Sequence, residues 1–449
     1  MEFQTLKRSH LKRNIVIAVV VVAITSAIIL TFTRAKYKTT ESIPLVNGTI
    51  NYTPYDLKMV AMYQEENDGY KSIDTVPTSG YTLNEEKSYC EVNDAKDESI
   101  SMEYKDGKVY IGVSKKGTKC YLYFDIQLCQ GKACNTILAN NSVNSGTPNF
   151  SKTATTDEGI YKAEDDWGES YYFRGDVTNN WIKFAGYYWR IIRINGDGSI
   201  RLIYNGTGTA TTGTSTQIST SAYNSSYYDN AYVGYMYGST GASSYAATYA
   251  NTNNSTIKGV LDNWYQTNIT NKGYGDKVSK EAGFCNDRKI STVNRSGYGT
   301  LGYGTNATVY APVDRFLNAS WSWLSTQNPT LKCSQLSNDM FTVSGSSKGN
   351  KALANPVGLI TADEVVFAGG KGGTNNSSYY LYTGQNYWTM SPFDFYDGHA
   401  DVFFVHSNGN LNYSNVYGAI GVRPVINLSA DVKVTGSGTS SDPFVVSSD

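Results

Sequence analysis

Two histidines and three aspartates lie close together near the C-terminal end of this 449-residue chain. Imidazole and carboxylate groups bind several divalent metal ions, and Ser391, His399 and Asp401 are the residue types of a hydrolytic triad. No two of these groups, however, are spaced at i and i+4 on a predicted helix, and a strand-and-turn context would scatter them. We therefore expect no metal site, no cofactor and no catalytic residue among His399, His406, Asp394, Asp397 and Asp401.

A second short motif, GSSKG at 345–349, matches the G-x-S-x-G pattern of serine hydrolases. That pattern places a nucleophile only where a strand precedes it and a helix follows it. The sequence that follows, NKALANP at 350–356, contains no helical run and ends in proline. We expect this segment to be a turn and the chain not to be an enzyme.

The same C-terminal region has the composition of a binding surface, because tyrosine and phenylalanine give large contacts while serine, glycine and asparagine adapt their hydrogen bonds. Within 393–420, the alternation predicts that Val402, Phe404, Leu411 and Val416 point inward, with Asn408-Gly409 turning a hairpin. The remaining side chains are available for a ligand. The candidate ligand-binding residues are Phe393, Asp394, Phe395, Tyr396, Asp397, His399, Asp401, His406, Asn408, Asn410, Asn412, Tyr413 and Tyr417.

The composition of the whole chain indicates which kinds of secondary structure position this segment. Net charge is −1, which indicates no basic face and excludes nucleic acid as an expected partner. Tyrosine reaches 37 residues and glycine 42, so strand and turn formers dominate over helix formers.

The N-terminus predicts a membrane anchor. An uncharged run, IVIAVVVVAITSAIILTF, extends to about 20 residues at 14–33, enough for a helix to cross the hydrocarbon core. Residues 1–13 would be a cytoplasmic tail. A cleaved signal peptide is the alternative, but its apolar region is normally shorter and no A-x-A site follows. We expect a single-pass protein of the cell membrane with its C-terminal domains outside the cell.

The six cysteines indicate the same orientation. All lie after the apolar run, and their spacing matches no zinc pattern. An oxidising exterior favours disulfides, and pairing between neighbours is the simplest arrangement. The predicted pairs are Cys90–Cys120, Cys129–Cys134 and Cys285–Cys333.

Changes in composition predict the domains. Residues 47–126 alternate as strands, with a turn at 105–107, and resemble a small immunoglobulin-like β-sandwich that would act as a stalk. Residues 127–160 read as a linker. All seven tryptophans lie in 161–449, which predicts a second, larger core. Within it, the low-complexity stretch 205–256 is expected to be an irregular surface insertion.

Local signals place several elements in this second domain. The strands YYWRIIRI and SIRLIY flank the tight turn Asn195-Gly196-Asp197-Gly198. A helix is predicted within 255–269, capped by Ser255 or Thr256. Thr361 and Glu364 form a capping box for another helix, which assigns Glu364 to a cap.

Several pieces of 165–430 resemble one known fold. They are FCNDR (284–288), NPVGLITADEVVFAG (355–369), WTMSP (388–392) and the closing GVRP (421–424), together with the YYWRIIRI hairpin. The set is similar to the C-type-lectin-like domain shared by formylglycine-generating-enzyme-like proteins and the variable proteins of diversity-generating retroelements. The ending also resembles that of membrane-anchored bacterial surface proteins.

The resemblance implies an α+β, C-type-lectin-like fold in which the first and last strands pair, so that GVRPVINL would pair with the YYWRIIRI region. Pro424 then belongs at an edge or bulge, and Arg423 would join loop carbonyls or a carboxylate. Formylglycine-generating enzymes use a late pair of cysteines to bind copper. No cysteine follows Cys333, so that activity is not carried over.

The resemblance also suggests a reason for the composition of 393–420. These 28 residues contain no Lys, Glu, Gln, Met or Trp. Adenine-directed mutation of AAY codons yields every residue type that is present there and none of those five. A diversified segment and a fixed binding surface are both open on these grounds.

The sequence therefore predicts a membrane-anchored surface receptor or adhesin. Its C-type-lectin-like domain would bind a protein or glycan on another cell or on a phage. An enzyme of the same fold and a structural envelope protein without a specific ligand are the alternatives.

Overall fold

The computed structural model describes residues 57–66, 69–77, 81–105, 107–112, 115–126, 129 and 131–447. The expected cytoplasmic tail and membrane helix, at 1–13 and 14–33, lie outside the described residues. Within the described ranges, no helix is both long and apolar enough to cross a membrane. The chain divides into two compact units between residues 128 and 129. Strands dominate its described part, and the helices there are few and short.

The first unit is built from eight described strands. They form one sheet in the order β2-β1-β8-β4-β5, with β3 also paired to β8, and a separate hairpin of β6 and β7. The described residues of this unit contain no helix, in agreement with the predicted all-β domain. The strands are β1 (Leu57–Glu66), β2 (Gly69–Ile73), β3 (Tyr81–Leu83), β4 (Tyr89–Val92), β5 (Ala95–Lys96), β6 (Met102–Lys105), β7 (Lys108–Ile111) and β8 (Thr118–Ile126).

The core of the first unit lies between its sheet and its hairpin. Cys90 and Cys120 face each other directly on β4 and β8 and form a disulfide, as predicted. Alternate residues of β8 are fully buried, and Val109 of β7 joins them in one cluster. The alternation that the sequence shows here is therefore the alternation of a half-buried strand.

The second unit contains most of the chain's strands. They are β9 (Asp157–Glu164), β10 (Glu169–Gly175), β11 (Trp181–Phe184), β12 (Tyr187–Ile194), β13 (Ile200–Tyr204), β14 (Ser219–Ser221), β15 (Met236–Tyr237), β16 (Asn253–Asn254), β17 (Phe284–Cys285), β18 (Thr308–Val309), β19 (Met340–Phe341), β20 (Tyr387–Tyr396), β21 (His399–Val405), β22 (Leu411–Asn415), β23 (Ile420–Val422), β24 (Val425–Leu428), β25 (Val434–Thr435) and β26 (Phe444–Val446).

These strands form two main sheets. The first, here called the terminal sheet, has the order β24-β13-β12-β11-β26-β25, and β10 joins β12 to β9. The second, here called the hairpin sheet, has the order β14-β23-β20-β21-β22, with β18 paired to β20. The predicted hairpin is β12 and β13, and its turn contains Asn195-Gly196-Asp197-Gly198 as expected.

The helices are short, and the two whose caps the sequence predicted begin at those residues. Ser255 caps its helix by accepting from the Lys258 amide, and Thr361 and Glu364 form both bonds of the capping box. A π-helical turn at Gln266–Thr270 extends the longest helix, and 3₁₀ turns occur at Thr214–Thr216, Asn230–Val233 and Gly275–Lys277. The helices are α1 (Cys134–Ala139), α2 (Tyr245–Thr248), α3 (Thr256–Tyr265), α4 (Ala311–Phe316), α5 (Leu336–Asp339) and α6 (Ala362–Phe367).

Two stretches expected to lie outside a core are packed within it. The described part of the expected linker, 127–160, supplies α1 and the start of β9, and Ile137 and Ile160 are fully buried. The Cys129–Cys134 disulfide closes this stretch, as predicted. The low-complexity stretch 205–256 also differs from the expected surface insertion, because Tyr223 and Tyr235 are fully buried. Tyrosine-rich polar text therefore contributes large rings to this core.

The closing strand is β24, and it pairs with β13, the second strand of the YYWRIIRI hairpin, as predicted for that region. Strand β13 lies between β24 and β12, so β24 forms the edge of the sheet. Arg423, only 1% exposed, directs its guanidinium to the carbonyls of Tyr204 (3.1 Å) and Leu381 (3.3 Å). The predicted structural role of Arg423 is confirmed.

Candidate ligand-binding site

The predicted binding segment folds as two consecutive hairpins in the hairpin sheet. Strand β21 pairs with β20 on one side and β22 on the other. Asp397 (φ +47°) and Gly398 (φ +76°) form a two-residue turn at one end of β21, as the right-handed twist of a hairpin favours. Gly409 (φ +82°) turns the chain at the other end, as predicted. Since β21 has seven residues, the two turns lie about 20 Å apart.

This geometry divides the predicted binding residues into two groups. One group surrounds the Asp397-Gly398 turn, while the other surrounds the Gly409 turn, so the segment does not form one continuous patch. The second group consists of His406, Asn408, Asn410 and Asn412.

The second group is a polar turn that largely satisfies its own hydrogen bonds. The Asn408 side chain accepts from the Asn410 amide at 3.1 Å, and the Asn408 amide lies 3.3 Å from Nδ1 of His406. The Asn410 side chain reaches Asn375 at 3.3 Å. These contacts fix the turn itself.

The first group lines an open cleft of about 420 Å³, here called the acidic cleft. Tyr298, Ser414 and Asn415 complete its lining, although none of them was among the predicted binding residues. Six predicted residues meet there: Asp394, Tyr396, Asp397, His399, Asp401 and Tyr413.

Phe393 and Phe395 were expected to face a ligand, and the structure contradicts this. Each is 1% exposed and belongs to the core. The Phe393 ring stacks on Tyr413 at 3.7 Å between centroids and meets Phe403 edge-on at 5.0 Å. Phe393 therefore lies beneath the cleft and supports the ring of Tyr413. Burial of a phenylalanine ring is favoured because it removes a large apolar surface from water.

A β-bulge explains why a buried phenylalanine and a cleft aspartate are neighbours. Between Pro392 and Asp394 the register with β21 shifts, so that two residues of β20 oppose one residue of β21. A bulge redirects side chains locally. As a result, Asp394 lies directly opposite Asp401, and both carboxylates reach the same cleft.

The two carboxylates have unusual electrostatics. Burial, and then repulsion from Asp401, raises the pKa of Asp394 to about 8. Burial raises the pKa of Asp401 to about 6, against the opposing effect of His399. At neutral pH the pair therefore holds most of one proton on Asp394.

Tyrosine rings form the walls of the acidic cleft. Tyr298 donates its hydroxyl hydrogen to Oδ2 of Asp394 at 2.9 Å, and its ring stacks on Tyr396 at 4.8 Å. Tyr396 is 49% exposed and Tyr413 43% exposed. Polar hydroxyls and broad apolar faces are therefore both available to a ligand.

A tyrosine cluster extends the rim beyond the Asp397-Gly398 turn. The ring of Tyr227 stacks on His399 at 5.2 Å and lies 4.9 Å from the ring of Tyr417, which is 54% exposed. Tyr227 comes from the low-complexity stretch, far from 393–420 in the chain. Backbone bonds from the Ala400 amide to the Tyr227 carbonyl, at 2.8 Å, and from the Asn224 amide to the Val416 carbonyl, at 3.0 Å, join the two segments.

A second charged region lies buried within the same unit and encloses a cavity of about 30 Å³. Here each arginine contacts at least one carboxylate. Arg193 joins Asp165 at 2.5 Å and Glu364 at 3.1 Å, and Arg201 also reaches Glu364, at 3.2 Å. We name this region the buried ion-pair cluster; its members are Arg193, Arg201, Arg315, Asp165, Asp287, Asp363 and Glu364.

The buried ion-pair cluster gives Glu364 a second role that the sequence did not reveal. Its carboxylate accepts from the Thr361 amide in the capping box and also pairs with Arg193 and Arg201. Although burial acts to raise it, Arg201 and Arg193 hold the pKa of Glu364 below its usual value. Each carboxylate of the cluster is thus paired with at least one arginine.

The remaining chemical candidates do not form a reactive arrangement. Residues 345–349 form a turn, and Ser347, the serine of the motif, donates its hydroxyl hydrogen to the Glu281 carboxylate. His399 and His406 lie at opposite ends of β21 and so cannot share one ion. Among the described residues, no three His, Cys, Asp or Glu side chains are grouped to hold a metal ion.

The third predicted disulfide, Cys285–Cys333, is also formed, so all three pairs agree with the prediction.

The chain matches no protein-family model, and no curated protein or solved structure is similar to it. The site is therefore characterised by its geometry alone. It is an aromatic and acidic cleft on a β-rich unit that contains disulfides.

Proposed function

We propose that this chain is a membrane-anchored cell-surface receptor or adhesin, and that the acidic cleft is its ligand-binding site. The observation that carries the proposal is the convergence of six predicted residues, supplied by β20, β21, β22 and the first turn, on one open cleft. Concave sites with aromatic walls and a few convergent polar groups are the usual form of a binding site. The ligand would be a protein or glycan on another cell or on a phage.

Two further features support the assignment to the cell surface and to a C-type-lectin-like fold. Three disulfides favour an oxidising compartment outside the cytosol, and the apolar run at 14–33 would anchor the chain. In the second unit, strands near the two ends pair, β11 with β26 and β13 with β24. Paired terminal strands are what the resemblance to the C-type-lectin-like domain implies. The first unit would be its immunoglobulin-like stalk.

The proposal is tested by changing the exposed rings while leaving the core intact. The full chain, purified in a maltoside detergent, is panned against a random-peptide phage library and a glycan array. Replacing Tyr396, Tyr413 and Tyr417 together by alanine should weaken binding of the selected ligands at least about tenfold, because aromatic anchors carry most of the contact energy. Tyr274→Ala is the matched control, since Tyr274 is exposed but lies outside the cleft.

Ligands that bind the triple variant and the parent equally would contradict the assignment of the site. Diversification is tested separately, by comparing sibling sequences from related genomes and searching for a neighbouring reverse transcriptase. We expect variation at the exposed positions 396, 399, 413 and 417, and little at the buried positions 395 and 402. Uniform conservation across both sets would indicate a fixed surface.

A further inference from the structure

The acidic cleft contains two carboxylates without a basic partner. Among the described residues, neither Asp394 nor Asp401 forms an ion pair, although Asp394 is only 5% exposed. Arg295 is the positive group that acts to lower the pKa of Asp394. Its guanidinium is already directed to Asp314, at 2.7 Å, and to the Leu317 carbonyl, at 3.0 Å. The charge of the pair is therefore left for something outside the chain to neutralise.

The hydrogen-bonding capacity of the pair is also unfilled. Oδ1 of Asp401 is buried and has no partner in the described part of the chain. Asp394 accepts one bond, from Tyr298 through Oδ2, and its other oxygen receives none from the described residues. A buried acceptor without a donor is destabilising, so a ligand that brings a positive charge or an N–H or O–H donor would be favoured at this place.

The walls present the faces and edges of aromatic rings beside these oxygens. Tyr298 and Tyr396 stack with an interplanar angle of 28°, and Tyr413 lies parallel to the underlying Phe393 at 9°. The π face of a tyrosine attracts a cation, and the attraction strengthens where water is partly excluded.

From these contacts we propose that the acidic cleft binds an organic cation, namely an ammonium or guanidinium group carried by the ligand. The cation would occupy, relative to Asp394 and Asp401, the place that arginine takes in the buried ion-pair cluster. The inference rests on the proposed function, because the cleft is its binding site. A neutral sugar would supply donors but would leave both carboxylates without a counter-charge.

Cation binding in this cleft is coupled to proton release. The groups that face Asp394 are Asp401 on β21, Tyr413 on β22, and Tyr298 and Arg295 from the preceding loop; His399 acts on Asp401. Because burial raises the pKa of Asp394 to about 8, a cation must displace the proton that Asp394 holds at neutral pH. Affinity for the cation should therefore rise as the pH increases from about 6 to about 8.5.

The test compares choline with 3,3-dimethyl-1-butanol, which has the same shape without the charge. Binding to the purified full chain, in a maltoside detergent free of choline headgroups, is followed by NMR titration at about pH 8.5. We expect saturable binding of choline and at least tenfold weaker binding of the neutral isostere. Affinity should fall at least tenfold for Asp394→Asn with Asp401→Asn, and at least fivefold for Asp401→Asn alone.

Asp431→Asn is the matched control, because Asp431 is exposed and does not line the cleft. Asp394→Asn keeps an oxygen that can accept from Tyr298, so the fold should be retained; thermal unfolding of each variant checks this. If the double variant unfolds, Asp401→Asn alone and the pH dependence of the parent decide the result.

Equal binding of choline and its neutral isostere would overturn the inference, as would the absence of saturable choline binding up to about 50 mM. If this occurs while the selected ligands still depend on Tyr396, Tyr413 and Tyr417, the cation inference fails and the proposed function stands. If those ligands are also insensitive to the three tyrosines, the proposed function fails as well.

Discussion

The buried ion-pair cluster and the acidic cleft place the same chemical group, a desolvated carboxylate, in two different environments within one unit. In the cluster, Glu364 lies between Arg193 and Arg201, and its pKa stays below the usual value. In the cleft, Asp394 faces another carboxylate, and its pKa rises to about 8. Both carboxylates are almost fully buried, so the presence of arginine beside Glu364 and not beside Asp394 accounts for the difference between their pKa shifts.

The comparison teaches how to separate a charged region that is paired within the chain from one that a ligand could complete. Both regions contain buried side chains and a concentration of charged groups, so neither property distinguishes one region from the other. What distinguishes them is that every carboxylate of the cluster is paired with an arginine, whereas neither Asp394 nor Asp401 forms an ion pair with a described residue. An incomplete site that is open to solvent is the one that a ligand can complete.

The largest effect should come from breaking the cluster at Arg315. This side chain pairs with Asp363 at 2.6 Å and with Asp287 at 2.7 Å. Arg315→Ala leaves two buried carboxylates without a counter-charge and should lower the free energy of unfolding by about 3–5 kcal/mol. Denaturant unfolding followed by tryptophan fluorescence measures this.

Lys332→Ala is the matched control, because Lys332 and Glu164 form an exposed pair at 4.0 Å. Its loss should be below about 1 kcal/mol. Equal effects of the two substitutions would mean that the cluster does not stabilise the fold.

A somewhat smaller loss is expected for Glu364→Gln. Because the pKa of Glu364 is lowered on folding, its contribution is present above its unfolded pKa and is lost as the pH falls through the folded value. The variant should be about 2–4 kcal/mol less stable than the parent at neutral pH, and the difference should shrink in acid. A pH series of thermal unfolding curves would show this; a difference that is constant with pH would contradict it.

The contribution of the cleft to stability should change with pH in the direction opposite to that of Glu364. Since burial raises the pKa of Asp394, ionisation opposes folding, and the parent loses stability as the pH rises from about 4 to about 8. Asp394→Asn removes this loss and should stabilise the chain by about 1–3 kcal/mol at pH near 8.5, with little effect near pH 4. The same pH series measures it, and a destabilised variant at high pH would refute the account.

The smallest change in stability, and the sharpest test of the comparison, comes from supplying the cleft with its own cation. Asn415 on β22 lies directly opposite Asp401. Asn415→Lys should stabilise the chain by about 0.2–1 kcal/mol at neutral pH, as a cross-strand pair of opposite charges, while abolishing choline binding. Asn415→Gln is the control; if both variants retained choline binding, the cleft would not be the cation site.

Much of the fold is predictable because its signals are local. Cysteine order gave the three disulfides, turn residues gave the hairpin at 195–198, and a four-residue pattern gave the capping box at Thr361. Likewise, the alternation in 402–416 correctly placed Val402, Phe404, Leu411 and Val416 in the core.

The site was only partly predictable because it combines distant segments. Tyr298 contacts Asp394 from 96 residues away, and Tyr227 contacts His399 from still further along the chain. A single sequence contains no sign of such contacts. The bulge at Pro392–Asp394 also breaks simple alternation, so Phe393 was assigned to the surface when it is buried. The prediction that the low-complexity stretch 205–256 is a surface insertion was wrong for a different reason. Tyrosine is polar, but its ring is large enough to fill a core.

The turn at Asp397-Gly398 limits how far this surface can evolve. Both residues are solvent-facing, yet their backbones lie in the left-handed region, which only glycine, asparagine and aspartate adopt readily. Gly409 is constrained further, since a Cβ there would collide with the Asn376 carbonyl. Under the proposed function, a change of specificity would therefore have to occur at the neighbouring strand positions, and residues 397, 398 and 409 should not vary among sibling sequences.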